Sequence, residues 1–458
     1  MLTLKQTDSP AGNIAGRMAI KIAAESKPVS PQVHLVRGGQ DTQLLVTNGT
    51  MLYRISPQTE AEFRVLLGSK DENGLKNKLM DMGLDAPLKI NDVPLKSPAV
   101  YALSLAIAQK CNMGCTYCYA DQGGFGGAMK SMSLDVATRS IDLLLKDCPE
   151  NGSVQLTFLG GEPLLNRKAI RIATAYAAEK ALEKNINIGF SITTNGTLLT
   201  EDDAIFFEKY AFSVTVSLDG LREEHDAQRP LKSGSGTYDQ IMENIKPLLQ
   251  IQRKMQVSAR VTVTPANLNL LEVLEGFIEM GFHSVGFSPL LNSSNGKGEM
   301  DEKDLEQLLG AMIACGLHFE KKVLQGERYP YLNMVNALKE INKGTHRPYP
   351  CGAGAGYMGV SADGEIAACH RFVNEPAGRM GDILNGIDVE LQNGWLESRH
   401  VHQQSPCNQC WARYLCGGGC HHEVIDKGRN ACDYIRGWLH YTIQAHERIS
   451  RLAPGWFN

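Results

Sequence analysis

The 458-residue chain has no run of about 18 uncharged apolar residues, the length that a membrane-spanning helix requires. Its first stretch, MLTLKQTDSPAGNIAGRMAIKIAAESK, lacks a sustained apolar segment and is broken by Pro10 and several glycines, so no secretory signal is read there. An excess of charge is missing too. With 46 Lys and Arg against 50 Asp and Glu, the electrostatic footprint of a nucleic-acid partner is absent. There is no internal repeat and no low-complexity tract. These absences predict a cytoplasmic location with neither membrane nor nucleic acid as a partner. At 43% hydrophobic and 21% charged residues, the composition is that of an ordinary soluble protein, and the length predicts two to four domains of about 150 residues each.

What is present is cysteine, twelve residues in all. Ten fall into two groups, Cys111 to Cys118 and Cys351 to Cys432, while Cys148 and Cys315 stand alone. In a large intracellular chain such grouping points to metal binding or catalysis rather than to a disulfide framework.

Along the chain, residues 1–30 are small and polar, the composition of a mobile end. VHLVRGG and QLLVTNGTMLYRIS read as strands, the second folded over at Asn48-Gly49. PQTEAEFRVLLG, opened by Ser56-Pro57, and GLKNKLMDMG read as helices. From Tyr101 strands alternate with amphipathic helices: VYALSLAIA, SVQLTFLGG, IGFSITTNG, FSVTVSLDG, VSARVTVTP and SVGFSPLL. Continuous apolar or β-branched strands are those of a parallel sheet covered on both faces. The fold class is therefore α/β, a partial (β/α)6 TIM-like barrel with ligands expected at the C-terminal strand ends. After about residue 345 the periodicity gives way to Gly, Cys and short turns, too thin for a core, so metal cross-links are the expected staple. The expected domains are 1–95, 96–345 and 346–458.

CNMGCTYC, with Cys111, Cys115 and Cys118, follows directly on the first barrel strand. A structural zinc site closes with four ligands. Three cysteines with no neighbouring fourth fit an iron–sulfur cluster with one iron left open. This segment resembles the signature of the radical S-adenosylmethionine superfamily, in which the open iron of a 4Fe–4S cluster is chelated by the amino and carboxylate groups of that cofactor. The resemblance implies reductive cleavage of the sulfonium and a 5′-deoxyadenosyl radical that abstracts hydrogen. It further implies that Tyr117 packs near the adenine, although an apolar anchor for the loop explains that residue equally well. By the same resemblance Gly160, Gly161 and Glu162 of GGEP lie along the methionine moiety. Ser217 and Asp219 of SLDG, and Arg229 of HDAQRP, contact the cofactor, and Leu290 touches the adenine. Asn195-Gly196 of TTNG is either a strand-ending turn or a ligand contact.

The second group, Cys351-x12-Gly364-x4-Cys369 followed by Cys407-x2-Cys410-x5-Cys416-x3-Cys420 and Cys432, resembles the SPASM extension of peptide-modifying members. That extension holds two auxiliary 4Fe–4S clusters, which would bring the total to three. By family pattern Cys407, Cys410, Cys416 and Cys432 close the outer cluster, and Cys351, Cys369 and Cys420 hold the inner one. Two four-thiolate sites need one more ligand than these seven cysteines supply. The candidates are Cys315, His346, an open iron, or a cysteine of the substrate, with Cys315 leading among protein ligands. His370 follows Cys369, where members that oxidise a sulfatase residue to formylglycine carry an aspartate base. An imidazole there can take a thiol proton or simply hydrogen-bond a cluster sulfur or a carbonyl.

Residues 1–95 resemble the PqqD-like winged-helix element that captures peptide precursors, by adding a leader strand to the hairpin edge or by seating a helix in a groove. A structural cap is the other reading. CGAGAGYMGVSADGEIAACHRFVNE is most similar to the maturation proteins of quinohemoprotein amine dehydrogenase. That resemblance implies thioether bridges from cysteine sulfur to a methylene carbon of Asp or Glu in the small-subunit precursor, and an external reductant such as flavodoxin or ferredoxin. A sactipeptide-type or formylglycine-forming maturase is the alternative within the class. A non-catalytic electron carrier or a peptide-binding scaffold is the alternative outside it.

Overall fold

The computed structural model describes residues 10–38, 41–85 and 93–457. Residues 1–9, Gly39 at the end of the first expected strand, and 86–92 of the expected N-terminal module lie outside the described residues.

The chain opens on helix α1 (Pro10–Glu25), where the sequence reading expects no element. Its buried stripe is Ala15, Ala19 and Ile22. Those positions share one helix face, but two methyl groups carry little hydrophobic weight, which is why the pattern is faint. Strands β1 (Val33–Arg37), β2 (Thr42–Val46) and β3 (Met51–Ile55) then form an antiparallel sheet in that order. The expected hairpin turn is there, with Gly49 at φ +84°. Helix α2 (Pro57–Gly68) starts at an N-cap whose Ser56 hydroxyl accepts from the Thr59 N–H. Helix α3 (Glu72–Asp81) follows. Alternation along the strands divides their side chains. Val33, Leu44 and Val46 face Phe63, Leu75 and Leu79, whereas Val36 and Leu45 turn the other way, onto Trp411, Leu415, Leu439 and Ile443. On that second face His34 stacks on Trp411 with ring centroids 3.8 Å apart.

The barrel strands are those read from the sequence. In chain order the elements are β4 (Ala102–Gln109), β5 (Lys130–Ser131), α4 (Leu134–Lys146), β6 (Ser153–Gly160), α5 (Arg167–Glu183) and β7 (Asn187–Thr194). They continue as α6 (Glu201–Lys209), β8 (Ser213–Ser217), α7 (Arg222–Gln228), α8 (Tyr238–Ile251) and β9 (Gln256–Val263). The last are α9 (Leu270–Glu279), β10 (Ser284–Pro289), α10 (Glu302–Leu324) and α11 (Leu332–Asn342). Strands β10-β9-β8-β7-β6-β4 lie side by side, every pair parallel. Strand β9 illustrates the layering: Val257, Ala259, Val261 and Val263 are buried, while Ser258, Arg260 and Thr262 on the opposite face are not. Hydroxyls such as Thr157 and Ser191 share that second face and bond each other at 2.8 Å, so the concave side of the sheet is polar.

The barrel stays open. Beyond β4 the sheet continues through β11 (Tyr357–Val360), parallel to β4, then β12 (Glu365–Ala367), β13 (Arg379–Asp382) and β14 (Gly386–Ile387), each antiparallel to its predecessor. The sequence reading expects only turns here, because strands of two to four residues are too short to display alternation. Helices α12 (Val389–Arg399), α13 (Arg413–Cys416), α14 (His421–Lys427) and α15 (Cys432–Leu452) complete the chain. No helix among the described residues is long and apolar enough to cross a membrane.

Helix α15 ties the parts together, packing on α10, on α11 and on α1. It approaches α10 at Gly316, where a Cβ would lie 2.4 Å from the Tyr441 ring. At the same contact the Glu320 carboxylate accepts from the Tyr441 hydroxyl at 2.7 Å and from Arg448 at 2.6 and 2.8 Å. Removing one partner of such a buried pair strands the other. Glu320→Ala is therefore expected to lower unfolding free energy by about 3 kcal/mol, read as a shifted denaturation midpoint with unchanged slope. Glu320→Gln, which keeps one oxygen acceptor, loses less.

Candidate active site

The loop after β4 takes its path from backbone contacts. The N–H of Gly161 donates to Ala108 and that of Glu162 to Lys110, each at 2.9 Å. A Cβ on Gly161 would sit 2.5 Å from the Lys110 oxygen and 2.6 Å from the Gly123 Cα, and one on Gly160 2.2 Å from the Ala108 oxygen. Both glycines are therefore demanded by the close approach of two chain segments. Farther along, Gly114 N–H donates to Pro230 and Thr116 N–H to Gln228, at 2.9 and 3.0 Å. Asn195 holds the start of the loop, its Nδ2 donating to Asn112 Oδ1 at 3.0 Å and lying 3.8 Å from Cys111 Sγ. Asn112 in turn donates to Thr197 at 2.8 Å. TTNG is thus both the strand-ending turn and the loop's anchor. Its only sequence signal is a polar run at a strand end.

Glu162 is fully buried. Its carboxylate accepts from Leu164 N, Thr194 Oγ1 and Asn195 N at 3.0, 2.8 and 2.7 Å, so it fixes the turn that carries Asn195. Burial raises its pKa, and these donors oppose the rise.

The charge of Cys118 bears on Cys111, and those of Cys111 and Cys118 on Cys115. Burial pushes Cys115 up to about 11, against the pull of the Arg229 guanidinium. Such a set ionises when a cation is bound to it. Among the described residues no group of three His, Cys, Asp or Glu is gathered for a single metal ion, as a zinc site with bonds of about 2.3 Å would need.

Beside the loop lies a buried triad. The Tyr117 hydroxyl donates to Asp219 Oδ2, Arg229 Nη1 donates to the Tyr117 oxygen at 2.6 Å, and Arg229 stands 3.6 Å from Asp219. Asp219 Oδ1 also accepts from Thr262 N at 2.8 Å. Burial raises the Asp219 pKa and Arg229 opposes it. The Nε of Arg229 is buried with no hydrogen-bond partner. An orphaned guanidinium donor next to Cys115 fits a carboxylate ligand such as that of S-adenosylmethionine. The Tyr117 ring is buried with its hydroxyl spent inside the protein, which favours the anchor reading of that residue. Ser217 ends β8 opposite Arg260 in register. Leu290 is buried just past β10, its N–H bonded to Val263 O at 2.8 Å.

The second cysteine series separates into two sets. Cys369 feels Cys351 and Cys420, and with burial as the larger cause is pushed up to about 12. Cys407 feels Cys416, Cys432 and Cys410, and burial pushes it up to about 11. The four thiols of the latter set line a pocket of about 100 Å³ with Arg413, Arg429 and Arg436, and Cys420 lines the same pocket. The structure does not bring Cys315 to either. That thiol lies buried in the core on α10, with Tyr329, Tyr331 and Tyr441 as its neighbours and no cysteine among them. His346 stacks on Tyr414 at 3.5 Å.

His370 sits between the groups. Its Nδ1 is 2.8 Å from the Tyr357 hydroxyl, itself 2.8 Å from Ser104 Oγ on β4. Burial, then Arg371 and His422, push the imidazole down to about 4, so it is neutral near pH 7. Tyr357 and Ser104 escape a sequence reading because nothing before folding joins positions 253 residues apart. A cavity of about 920 Å³ opens in front, lined by Cys115, Cys118, Tyr119, Asn292, Arg371 and His422 among others. It spans the loop after β4 and the segments that follow Cys369 and Cys420.

Residues 105–269 match the Radical SAM superfamily. The chain is an enzyme that carries a radical SAM domain over those residues; members of the superfamily take a 4Fe–4S cluster and S-adenosylmethionine. It is related to the anaerobic sulfatase-maturating enzymes. The cysteine-type enzyme of Clostridium novyi is 27% identical over 334 residues, 68% of this chain and 85% of that protein. The serine-type enzyme of Klebsiella aerogenes is 23% identical over 364 residues, 75% and 86% of the two. The structure of native anSMEcpe with bound AdoMet superposes with a TM-score of 0.65 at 22% identity, over 78% of this chain and 99% of that one. Streptococcus suis SuiB bound to its precursor peptide SuiA gives 0.52 at 16% identity, over 87% and 97%. At these identities the two structures speak to the fold alone.

The strand-end network makes a pH prediction. His225 Nδ1 accepts from Asp219 N at 3.2 Å and its Nε2 meets Thr237 Oγ1 at 3.0 Å. Burial first, then Arg229, hold its pKa down at about 3. As pH falls through about 6.5 the unfolded chain takes up this proton first, so stability is lost between pH 6.5 and 3. From pH 7.5 to 4.5 the wild type should lose about 2 to 3 kcal/mol more than His225→Gln does, at 1.36 kcal/mol per unit, measured by denaturant unfolding at the two pH values.

Proposed function

We propose that this enzyme matures a peptide, joining cysteine sulfur to a methylene carbon of Asp or Glu in the small-subunit precursor of a quinohemoprotein amine dehydrogenase. The observation that carries the reading is the meeting at one cavity of the loop bearing Cys115 and Cys118 with the segment from Arg371 to Glu375, which follows His370, while the orphaned Arg229 donor lies behind the loop. In this reading Cys111, Cys115 and Cys118 hold the 4Fe–4S cluster, and Arg229 holds the carboxylate of S-adenosylmethionine. When bound, that pair supplies abstraction of a hydrogen atom from an unactivated carbon. Gly160, Gly161, Glu162, Ser217, Asp219 and Leu290 shape the cofactor's berth. Cys407, Cys410, Cys416 and Cys432 hold an outer auxiliary cluster. Cys351, Cys369 and Cys420 hold an inner one with its fourth position filled from outside these seven.

His370 receives the substrate thiol's proton on Nε2, since Tyr357 occupies Nδ1 and so fixes the ring's orientation, and the electron left over when sulfur bonds to carbon would pass to an auxiliary cluster held by the later cysteines. The sheet β1–β3 and helices α2 and α3 supply a docking face for the precursor's leader, with the outer edge of β3 free to take a further strand among the described residues. A soluble one-electron carrier such as flavodoxin or ferredoxin supplies the reducing equivalent.

The names of the relatives favour a second reading, conversion of one Cys or Ser to formylglycine. His370 stands against it, in the position where the resemblance expects an aspartate.

Anaerobic co-expression with the small subunit, followed by mass spectrometry, separates the two. Cross-linking removes two hydrogens per bridge and leaves the bridged thiols resistant to alkylation, whereas an aldehyde at a single residue favours formylglycine. Replacing Cys111, Cys115 and Cys118 with Ser should reduce 5′-deoxyadenosine production to background. Persistent production in that variant would overturn the assignment of the loop.

A further inference from the structure

Five charged side chains line the large cavity, Asp121, Arg371, Glu375, Asp426 and Lys427. Most are spent on neighbours. Lys427 pairs with Glu299 at 3.2 Å, Asp426 accepts from Asn292 at 2.9 Å, and Glu375 meets His422 at 3.1 Å. Arg371 is spent only in part. Its Nη1 donates to Glu423 at 2.7 Å. The face of its guanidinium lies over the Tyr119 ring, 5.1 Å from the centroid. Its Nε is buried without a hydrogen-bond partner, and no bond is made by Nη2 among the described residues.

A guanidinium is a planar fork with two usable edges. Here the flat face is supported by an aromatic ring and one terminal nitrogen is tied down by a carboxylate, so the side chain is held in place. The remaining edge, Nε–H with Nη2–H, has the spacing that accepts a carboxylate through two parallel hydrogen bonds. An unpaired buried donor costs about 1 to 3 kcal/mol, so a site that leaves one in a cavity gains from the ligand that meets it. Arg371 is also one residue from His370, whose Tyr357 bond turns its other nitrogen away from the sheet.

We propose that Arg371 is the specificity-determining residue of the substrate cavity, a preorganised fork that binds the side-chain carboxylate of an acidic residue in the peptide and sets that residue beside the cysteine loop. This deepens, and rests on, the reading of the cavity as a peptide-modifying site. It makes the choice of Asp or Glu over Asn or Gln a property of one side chain. Glu423 and Tyr119 act as positioning residues: they hold the fork and do not touch the ligand.

The test is equilibrium binding of fluorophore-labelled small subunit to the cluster-loaded enzyme with S-adenosylmethionine, read by anisotropy under anaerobic conditions. Two forms of the small subunit are compared, one with its acidic acceptor residues intact and one with them changed to the corresponding amides. Wild-type enzyme should favour the acidic form by about 10- to 100-fold, the value of a charge-assisted bidentate pair. In Arg371→Met the two forms should bind within about 3-fold of each other, and Arg371→Lys, which keeps the charge but not the fork, should fall between. Glu423→Gln removes the ion pair and keeps the fork, so it should retain most of the preference. A ratio is insensitive to a general loss of folding, which weakens both forms together. An undiminished preference in Arg371→Met, or no preference in the wild type, overturns the assignment. Cross-linking is followed separately by mass spectrometry. A preference that depends on Arg371 without any loss of two hydrogens would sink the thioether reading and leave the carboxylate fork standing.

Discussion

At the ends of β4 and β6 two backbones meet with no side chain between them, and the cysteine loop hangs from that meeting. Gly160 and Gly161 press against Ala108 and Lys110, and Gly161 against Gly123, at separations no Cβ could share. Everything downstream inherits the position so fixed. The carboxylate of Glu162 can reach the turn at Asn195 because its own backbone is already docked, and Asn195 can then hold Asn112 and Cys111. The glycines that the family resemblance assigns to a cofactor are therefore needed before any cofactor arrives. The two roles are compatible, since a chain stripped of side chains on one side is bare on the other.

Electrostatics within the site follow a single pattern: charge is admitted to the interior only where it is answered. Asp219 is answered by Arg229, Tyr117 and the Thr262 amide, and Glu320 by Arg448 and Tyr441. Against that background several arginine donors are left unanswered, and two of them, Nε of Arg229 and Nε of Arg371, stand beside the cysteine loop. One lies behind the loop and the other over Tyr119, the residue after Cys118. Burial raises the thiols of Cys111 and Cys115 in the first series and of Cys369 and Cys407 in the second, so these are poor anions when empty and strong ligands when a bound cation offsets the charge.

The parallel strands were legible because each is a continuous apolar or β-branched run, a signal that lives in consecutive residues. The grouping of the seven later cysteines was legible as well, through spacing. What sequence could not carry is whatever depends on residues brought together from afar. Helix α1 is invisible because its packing stripe is made of alanines, which fit against α10 without announcing themselves. Strands β11 to β14 are too short to alternate. Cys315 was drawn into the ligand problem by arithmetic alone, and its place on α10 turns it into the core. Asn195 was left undecided between a turn and a ligand contact, and the fold shows the turn together with a contact no sequence reading offered, the bond that holds Asn112 of the cysteine loop. Tyr357 and Ser104 hold His370 across a strand pairing that no local pattern foretells.

Strand β11 runs parallel to β4 with Tyr357 opposite Ala102 and Val360 opposite Leu105. The chain then turns back through β12, where Ala367 lies opposite Gly359 and Gly359 opposite Ser104, so the stretch leading to Cys369 and the strand leading to Cys111 belong to one sheet with β11 between them, at about 4.8 Å per strand. Their separation is a matter of register, and the intervening polypeptide, however long its excursions, has no say in it. Evolution could lengthen or trim the loops between them and leave the gap between the two sulfur-bearing ends unaltered, as a ruler keeps its scale when the hand that holds it moves.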